Sequence, residues 1–177
     1  MLNINKKISL RDFAEKDIEN KVNWINDSRN NEFLHYELPL EYEKTLAWFK
    51  GRNLERRNDF VIEYEGHPVG LIGLLNIDYE NQKAEYYVSM GDVLCKGKGI
   101  ATNASYLLLQ HAFETLKLNK IYLNVDYDNV IARRMYDKVG FKEEGIFRED
   151  LLRRGKLIDR VRYAYFKKDW IERKLCK

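Results

Sequence analysis

Long hydrophobic runs, prolines and cysteines are all scarce in this sequence, and each scarcity excludes something. The longest apolar stretches, such as Leu71 to Leu75, fall far short of the ~20 residues a membrane helix needs, so no membrane partner is expected. Met1 to Lys7 has neither an apolar core nor a small-residue cleavage site, which argues against a signal peptide. The two cysteines, Cys95 and Cys176, make no disulfide framework and match no metal-ligand spacing. A cytoplasmic chain without a metal is the expectation. With only two prolines, no repeat and no low-complexity segment, residues 1–177 read as a single domain. A dominant charge sign is missing too: 31 basic against 28 acidic side chains leave a net charge of +3, interspersed along the chain. That is not the dense basic stripe of a nucleic-acid binder, though it leaves room for a local patch serving a phosphorylated ligand.

What is present is ordinary globular composition. Of 177 residues, 45% are apolar and 33% charged, which fits a chain able to bury a core. The twelve tyrosines suit packing with a polar tip. Ile8 to Phe13 alternates as a strand. Asp17 to Ile25 and Glu41 to Arg52 carry apolar residues at helical spacing. Phe60 to Tyr64 and Pro68 to Ile77 read as strands around the turn Glu65-Gly66-His67, and Ala84 to Met90 as another. Ile100 to Leu116 has one apolar stripe through Ala104, Leu107, Leu108 and Ala112. Ile121 to Val125 is a strand, Asn129 to Val139 a helix closed by Gly140, and Val161 to Lys167 a last strand. This order describes an α/β (α+β) chain with a mixed sheet flanked by helices.

Two segments carry chemistry. Lys96-Gly97-Lys98-Gly99-Ile100-Ala101 lies between a strand and a helix N-terminus. Glycine lets backbone approach a ligand closely, and the helix start offers free N–H groups and a positive dipole end to a phosphate. The loop lacks the Gly-Lys-Ser/Thr of a Walker loop and the strand pattern of a dinucleotide fingerprint. Taken alone it is as well read as a helix cap with two solvated lysines. The second segment begins at Asn129, a good N-cap. Tyr136 stands seven residues on, on nearly the same helical face, with the small Ala132 between.

Together, Lys96-x-x-Gly99-x-Ala101 and Asn129-x-x-Ala132-x-x-x-Tyr136-x-x-x-Gly140-Phe141 resemble the GNAT acyltransferases, over about Phe60 to Tyr165 with a weaker echo from Leu10 to Phe49. The family loop reads Gln/Arg-x-x-Gly-x-Gly/Ala, so lysine replaces its first residue here. The resemblance implies the GNAT fold, a mostly antiparallel sheet splayed between its fourth and fifth strands, and acetyl-CoA as acetyl donor. It places the pyrophosphate on amides from Cys95 through Lys96, Gly97, Lys98, Gly99 and Ile100 to Ala101. The pantetheine would run beside Tyr86 to Met90, near Val88, Met90, Asn129 and Ala132. Tyr136 becomes the candidate general acid for the departing thiolate, and a backbone N–H around Val88 to Met90 the oxyanion donor. Glu85 is the candidate base, directly or through water, with Asp126 as a rival and an ordinary strand ion pair as the plain reading of Glu85.

The acceptor is less determined. Asn23 to Asp27 with Phe33-Leu34, and the tail from Glu144 to Asp159, resemble the branch of ribosomal-protein N-terminal and amino-sugar acetyltransferases, including the enzyme of pseudaminic acid synthesis. That implies a small-molecule amine such as a nucleotide-linked amino sugar, with Trp24, Arg29, His35, Tyr36 and Arg148 able to stack on it or bind it. A protein N-terminus is the alternative partner. So is a polyamine, for which Glu32, Glu37, Glu41 and Glu43 would supply acidic groups. A non-catalytic acyl-CoA-binding module stands further off. Arg153 and Arg154 are most simply a solvated turn. The resemblance also implies a possible homodimer.

Overall fold

The computed structural model describes residues 2–4 and 7–175; Cys176 lies outside them. Among the described residues eight strands form one sheet in the order β1-β2-β3-β4-β5-β6-β8-β7. They are β1 (Leu2–Ile4), β2 (Ile8–Asp12), β3 (Asn58–Tyr64), β4 (His67–Asp78), β5 (Lys83–Met90), β6 (Lys120–Asp126), β7 (Lys142–Arg153) and β8 (Lys156–Phe166). Every neighbouring pair is antiparallel except β5 and β6. β4 lies in the middle, which explains the apolar run near Leu71: a central strand is buried on both faces.

One face is covered by α3 (Ile100–Gln110), α4 (Val130–Val139) and α5 (Lys167–Leu175). Its core includes Leu107, Leu108 and Phe113 with Tyr86, Ile121, Leu123 and Tyr163 from the sheet. The other face carries α1 (Ile18–Asn26) and α2 (Tyr42–Gly51) over a smaller cluster of Phe13, Ile18, Val61 and Leu71. The helical expectation for Ile100 to Leu116 holds with one change, since its last turn, His111–Thr115, is wound as a π-helix. The last strand expected over Val161 to Lys167 lies in β8, which pairs with β7 as a long hairpin, and α5 begins at Lys167. Period-two alternation is weak in β7 because it is an edge strand, exposed along most of its length.

The parallel pairing of β5 with β6 lasts three rungs, Lys83↔Lys120, Ala84↔Ile121 and Glu85↔Tyr122. Beyond Glu85, β5 stays paired with β4 as far as Met90, and β6 stays paired with β8 as far as Asp126. The two strands therefore part company, and the backbone from Tyr86 to Met90 has an unpaired edge facing a wedge-shaped gap. A strand-like ligand can complete such an edge. Among the described residues no helix is long and apolar enough to cross a membrane.

Candidate active site

Strand parity sorts the gap's side chains between two faces. Ala84, Tyr86, Val88 and Met90 of β5 and Ile121, Leu123 and Val125 of β6 point toward α3 and α4. Glu85, Tyr87 and Ser89, with Tyr122, Asn124 and Asp126, point the other way.

On the α3–α4 face, a short turn at Val93–Cys95 leads into the glycine loop. Gly97 and Gly99 have φ of +77° and +74°, the left-handed region, which favours glycine. A Cβ on Gly97 would meet nothing within 4 Å, and one on Gly99 only Asn103 Nδ2 at 3.9 Å. The space above both is open. Gly99 caps α3, whose first N–H groups at Ile100, Ala101 and Thr102 have no acceptor one turn back. Lys98 is exposed beside them. This cradle suits a phosphate. Two loop residues face elsewhere. The Lys96 ammonium donates to the Arg29 carbonyl at 2.8 Å. The Cys95 thiol is buried and bonds Asp92 Oδ2 at 3.4 Å, and burial, then Asp92, pushes its pKa up. It is a packed thiol, not a nucleophile.

Asn129 caps α4 by accepting from the Ala132 N–H at 3.1 Å. One turn on, Tyr136 is 8% exposed. Its ring is set by Tyr86 (5.9 Å, edge-on), Phe141 (5.9 Å) and Tyr163 (6.2 Å), so it lies beside β5 where the gap opens. Its hydroxyl has no hydrogen-bond partner among the described residues. Burial pushes its pKa well above the usual phenol range, so the hydroxyl stands in its neutral, protonated form.

On the opposite face, Glu85 occupies the last paired rung, half-buried, with Oε2 accepting from Asn76 Nδ2 at 2.8 Å. The segment 27–41 between α1 and α2 then spans the wide end of the gap. Asn30 Nδ2 donates to the Gly91 carbonyl just past β5, at 2.8 Å. His35 Nε2 meets Asp126 Oδ1 at the end of β6, at 3.0 Å. Two more ties hold it, Lys96 to the Arg29 carbonyl and Arg154 to the Asn31 carbonyl (3.5 Å).

Asp126 is almost fully buried, and its other oxygen accepts from Arg153. The expectation that Arg153 belongs to a solvated turn is corrected here: its guanidinium reaches that carboxylate and lies 5.3 Å from the Phe33 ring. Arg154 does sit in the turn, at φ 49°. Asp126, engaged on both oxygens, is poorly placed to take a substrate proton itself.

The remaining acceptor candidates divide. Trp24 packs on Gly91, where an added Cβ would lie 2.0 Å from its indole. It fastens α1 to the end of β5. Arg29 is exposed and paired with Asp27 at 2.6 Å. Tyr36 is 41% exposed and lies 5.7 Å from the Lys21 ammonium. Arg148 is exposed on β7. Motif reading missed Asn124 and Arg162, facing residues of β6 and β8. Among the described residues Asn124 Oδ1 and Arg162 Nε are buried without a hydrogen-bond partner, and Arg162 stacks on Tyr122 (4.1 Å) and Phe147 (5.5 Å). The alternation of β6 was the signal that could have found them: 122, 124 and 126 share the open face.

Residues 7–142 match the acetyltransferase (GNAT) domain. The chain is 33% identical to the spermidine N(1)-acetyltransferase of Escherichia coli (strain K12) over 117 residues, 66% of this chain and 61% of that enzyme's length. It is 32% identical over 177 residues to the putative ribosomal N-acetyltransferase YdaF of Bacillus subtilis (strain 168), covering 94% of this chain and 95% of that one. The crystal structure of the spermidine N-acetyltransferase of Vibrio cholerae in complex with CoA and spermine superposes with a TM-score of 0.85 at 26% identity, over 94% of this chain and 99% of that one. The chain belongs to the GNAT acetyltransferase family.

Proposed function

We propose that this protein transfers the acetyl group of acetyl-CoA to a primary amine by direct attack. One observation carries the reading. The gap between β5 and β6 has a phosphate cradle at its side, a buried proton donor on one face and proton-accepting groups on the other. The cradle fits the pyrophosphate of acetyl-CoA, and the free edge from Tyr86 to Met90 fits its pantetheine. Bound there, acetyl-CoA supplies an activated thioester. The Val88 to Met90 backbone offers N–H groups to the developing oxyanion. A neutral amine arriving from the α1–α2 face forms the N–C bond and gives up a proton on that face. The C–S bond breaks, and the sulfur takes the Tyr136 proton from the other face.

Among acceptors we place a polyamine first, since two of the three relatives described above are spermidine acetyltransferases. The exposed Glu32, Glu37, Glu41 and Glu43 on and beside the spanning segment would attract a polycation. A second reading, an amine that also carries an oxyanion such as a nucleotide-linked amino sugar, rests on Arg162. This half-buried guanidinium has no carboxylate partner among the described residues, and a cation so placed suits an anionic ligand group. The test is thiol release from acetyl-CoA with spermidine, a UDP-4-amino sugar and a ribosomal N-terminal peptide in parallel, each against hydrolysis alone. Selective turnover of spermidine is expected. Turnover of the sugar nucleotide alone would transfer the assignment to the second reading. No turnover above hydrolysis would overturn the proposal and leave an acyl-CoA-binding module.

A further inference from the structure

Two groups on the acceptor face could take the proton that the attacking amine must lose: the Glu85 carboxylate and the His35 imidazole. The geometry points to His35. Asp126 is fixed at the end of β6, with Arg153 on one oxygen and His35 Nε2 on the other at 3.0 Å. A carboxylate paired with arginine is an acceptor, so Nε2 must carry the hydrogen, and the imidazole's remaining lone pair is at Nδ1. Among the described residues Nδ1 has no partner. The ring keeps 32% of its side-chain surface exposed, and the segment that bears it is tied across the mouth of the gap at both Gly91 and Asp126. A histidine with one nitrogen held by a buried carboxylate and the other free is oriented as a proton acceptor. Glu85 is less suited, because Asn76 holds one of its oxygens.

We propose that His35, oriented by Asp126, is the general base of the acetyl transfer; this rests on the reading of the gap as the site where an amine meets acetyl-CoA. The amine nitrogen forms its bond to the carbonyl carbon and loses a proton to His35 Nδ1. The C–S bond breaks and the thiolate takes the Tyr136 proton. The imidazolium then returns its proton to solvent and the phenolate regains one, so the two exchanges cancel and a neutral amine is acetylated with no net proton released. The charged groups around His35 are Asp126 of β6, Arg153 of the β7–β8 hairpin behind it, Arg154 at the Asn31 carbonyl, and the exposed Glu32 and Glu37 of its own segment.

The test is the pH dependence of kcat/KM for the amine in the wild type, His35→Gln and Glu85→Gln, with acetyl-CoA affinity measured by calorimetry in each. Neutral imidazole is the active form, so protonating it should cost wild-type activity on the acid side. His35→Gln keeps an amide able to reach Asp126. It should bind acetyl-CoA as the wild type does, lose about 10²-fold in kcat at neutral pH, and lose the part of that acid limb that protonation of the amine itself does not account for. Glu85→Gln should keep the limb. His35→Ala should recover activity saturably with added imidazole. An unchanged limb in His35→Gln, or a loss confined to the KM for the amine with no imidazole rescue, would overturn the assignment and leave His35 a tether. Acetylation of amines with the limb intact sinks this inference alone, whereas absence of acetylation by the wild type sinks the proposed function with it.

Discussion

The two banks of the β5–β6 gap are built in different ways. On the α3–α4 side, the phosphate cradle is six consecutive residues and the Tyr136 helix is capped by a residue seven positions earlier. Each piece follows from local rules, a left-handed glycine, a helix N-terminus and an N-cap, and each packs on the larger core. On the α1–α2 side nothing is local. Asp126 draws its partners from 91 residues before it and 27 residues after it, and the spanning segment carries no regular structure. The cofactor bank is prefabricated, and the acceptor bank is assembled only when strand, segment and hairpin meet. A family can keep the first and vary the second, so substrate identity is hard to read from motifs.

Tyr136→Phe probes the prefabricated bank most sharply. It removes one oxygen, no hydrogen bond among the described residues, and none of the ring contacts. On the proposed mechanism the loss falls on proton donation to the leaving sulfur. Turnover should drop about 10²- to 10⁴-fold, with acetyl-CoA affinity and thermal midpoint nearly unchanged. Parallel losses of affinity and turnover would make the tyrosine a packing residue.

Gly99→Val acts on the same bank with a smaller effect. Valine is disfavoured at φ +74°, and its side chain would enter the open space above the loop. Acetyl-CoA affinity by calorimetry should fall about 10- to 100-fold, the equivalent of roughly 1.4–2.8 kcal/mol. A folded variant with unchanged affinity would remove the pyrophosphate from this loop.

The same contrast explains what the sequence made legible. The element order from β2 to β6, the glycine loop and the Asn129–Tyr136 helix follow from periodicity and caps, and the splay from the family resemblance that the two ordered motifs carry. Periodicity locates only the β8 half of the late hairpin, because an edge strand exposed on most of its length, as β7 is, lacks the alternation that betrays a half-buried one. Arg153 was misread because a turn-flanking arginine looks solvated until the hairpin folds back onto Asp126. Trp24 looked like a stacking platform, yet the bare backbone of Gly91 beneath it is a packing match that spacing does not encode. His35 and Asp126 were each noticed singly, and only the fold pairs them.

The last prediction tests whether the acceptor bank tolerates a defect that the larger core does not contain. Lys21 of α1 is 5% exposed and has no ion-pair partner among the described residues. Its ammonium lies 3.5 Å from the centre of the Trp48 ring, with Phe13 and Tyr36 within 6 Å. Burial, then the nearby Arg57, lowers its pKa to about 8, below the ~10.4 of an unfolded lysine. Between those values the unfolded chain binds more protons than the native one, so this residue makes stability rise with pH from about 8 to about 10. Below 8 the charged form carries the full penalty, partly offset by the aromatic rings, which favour a cation by about 1–2 kcal/mol. Lys21→Met keeps the apolar stem and removes the charge. It should raise stability at pH 7 by about 1–2 kcal/mol, less than the full desolvation cost because the cation–ring attraction goes too. It should also flatten the rise in urea midpoint between pH 8 and 10. A variant with the wild-type slope would show that Lys21 reaches water in solution. A variant less stable at pH 7 would show that the rings stabilise the ammonium by more than its burial costs, making Lys21 a strut of the acceptor bank.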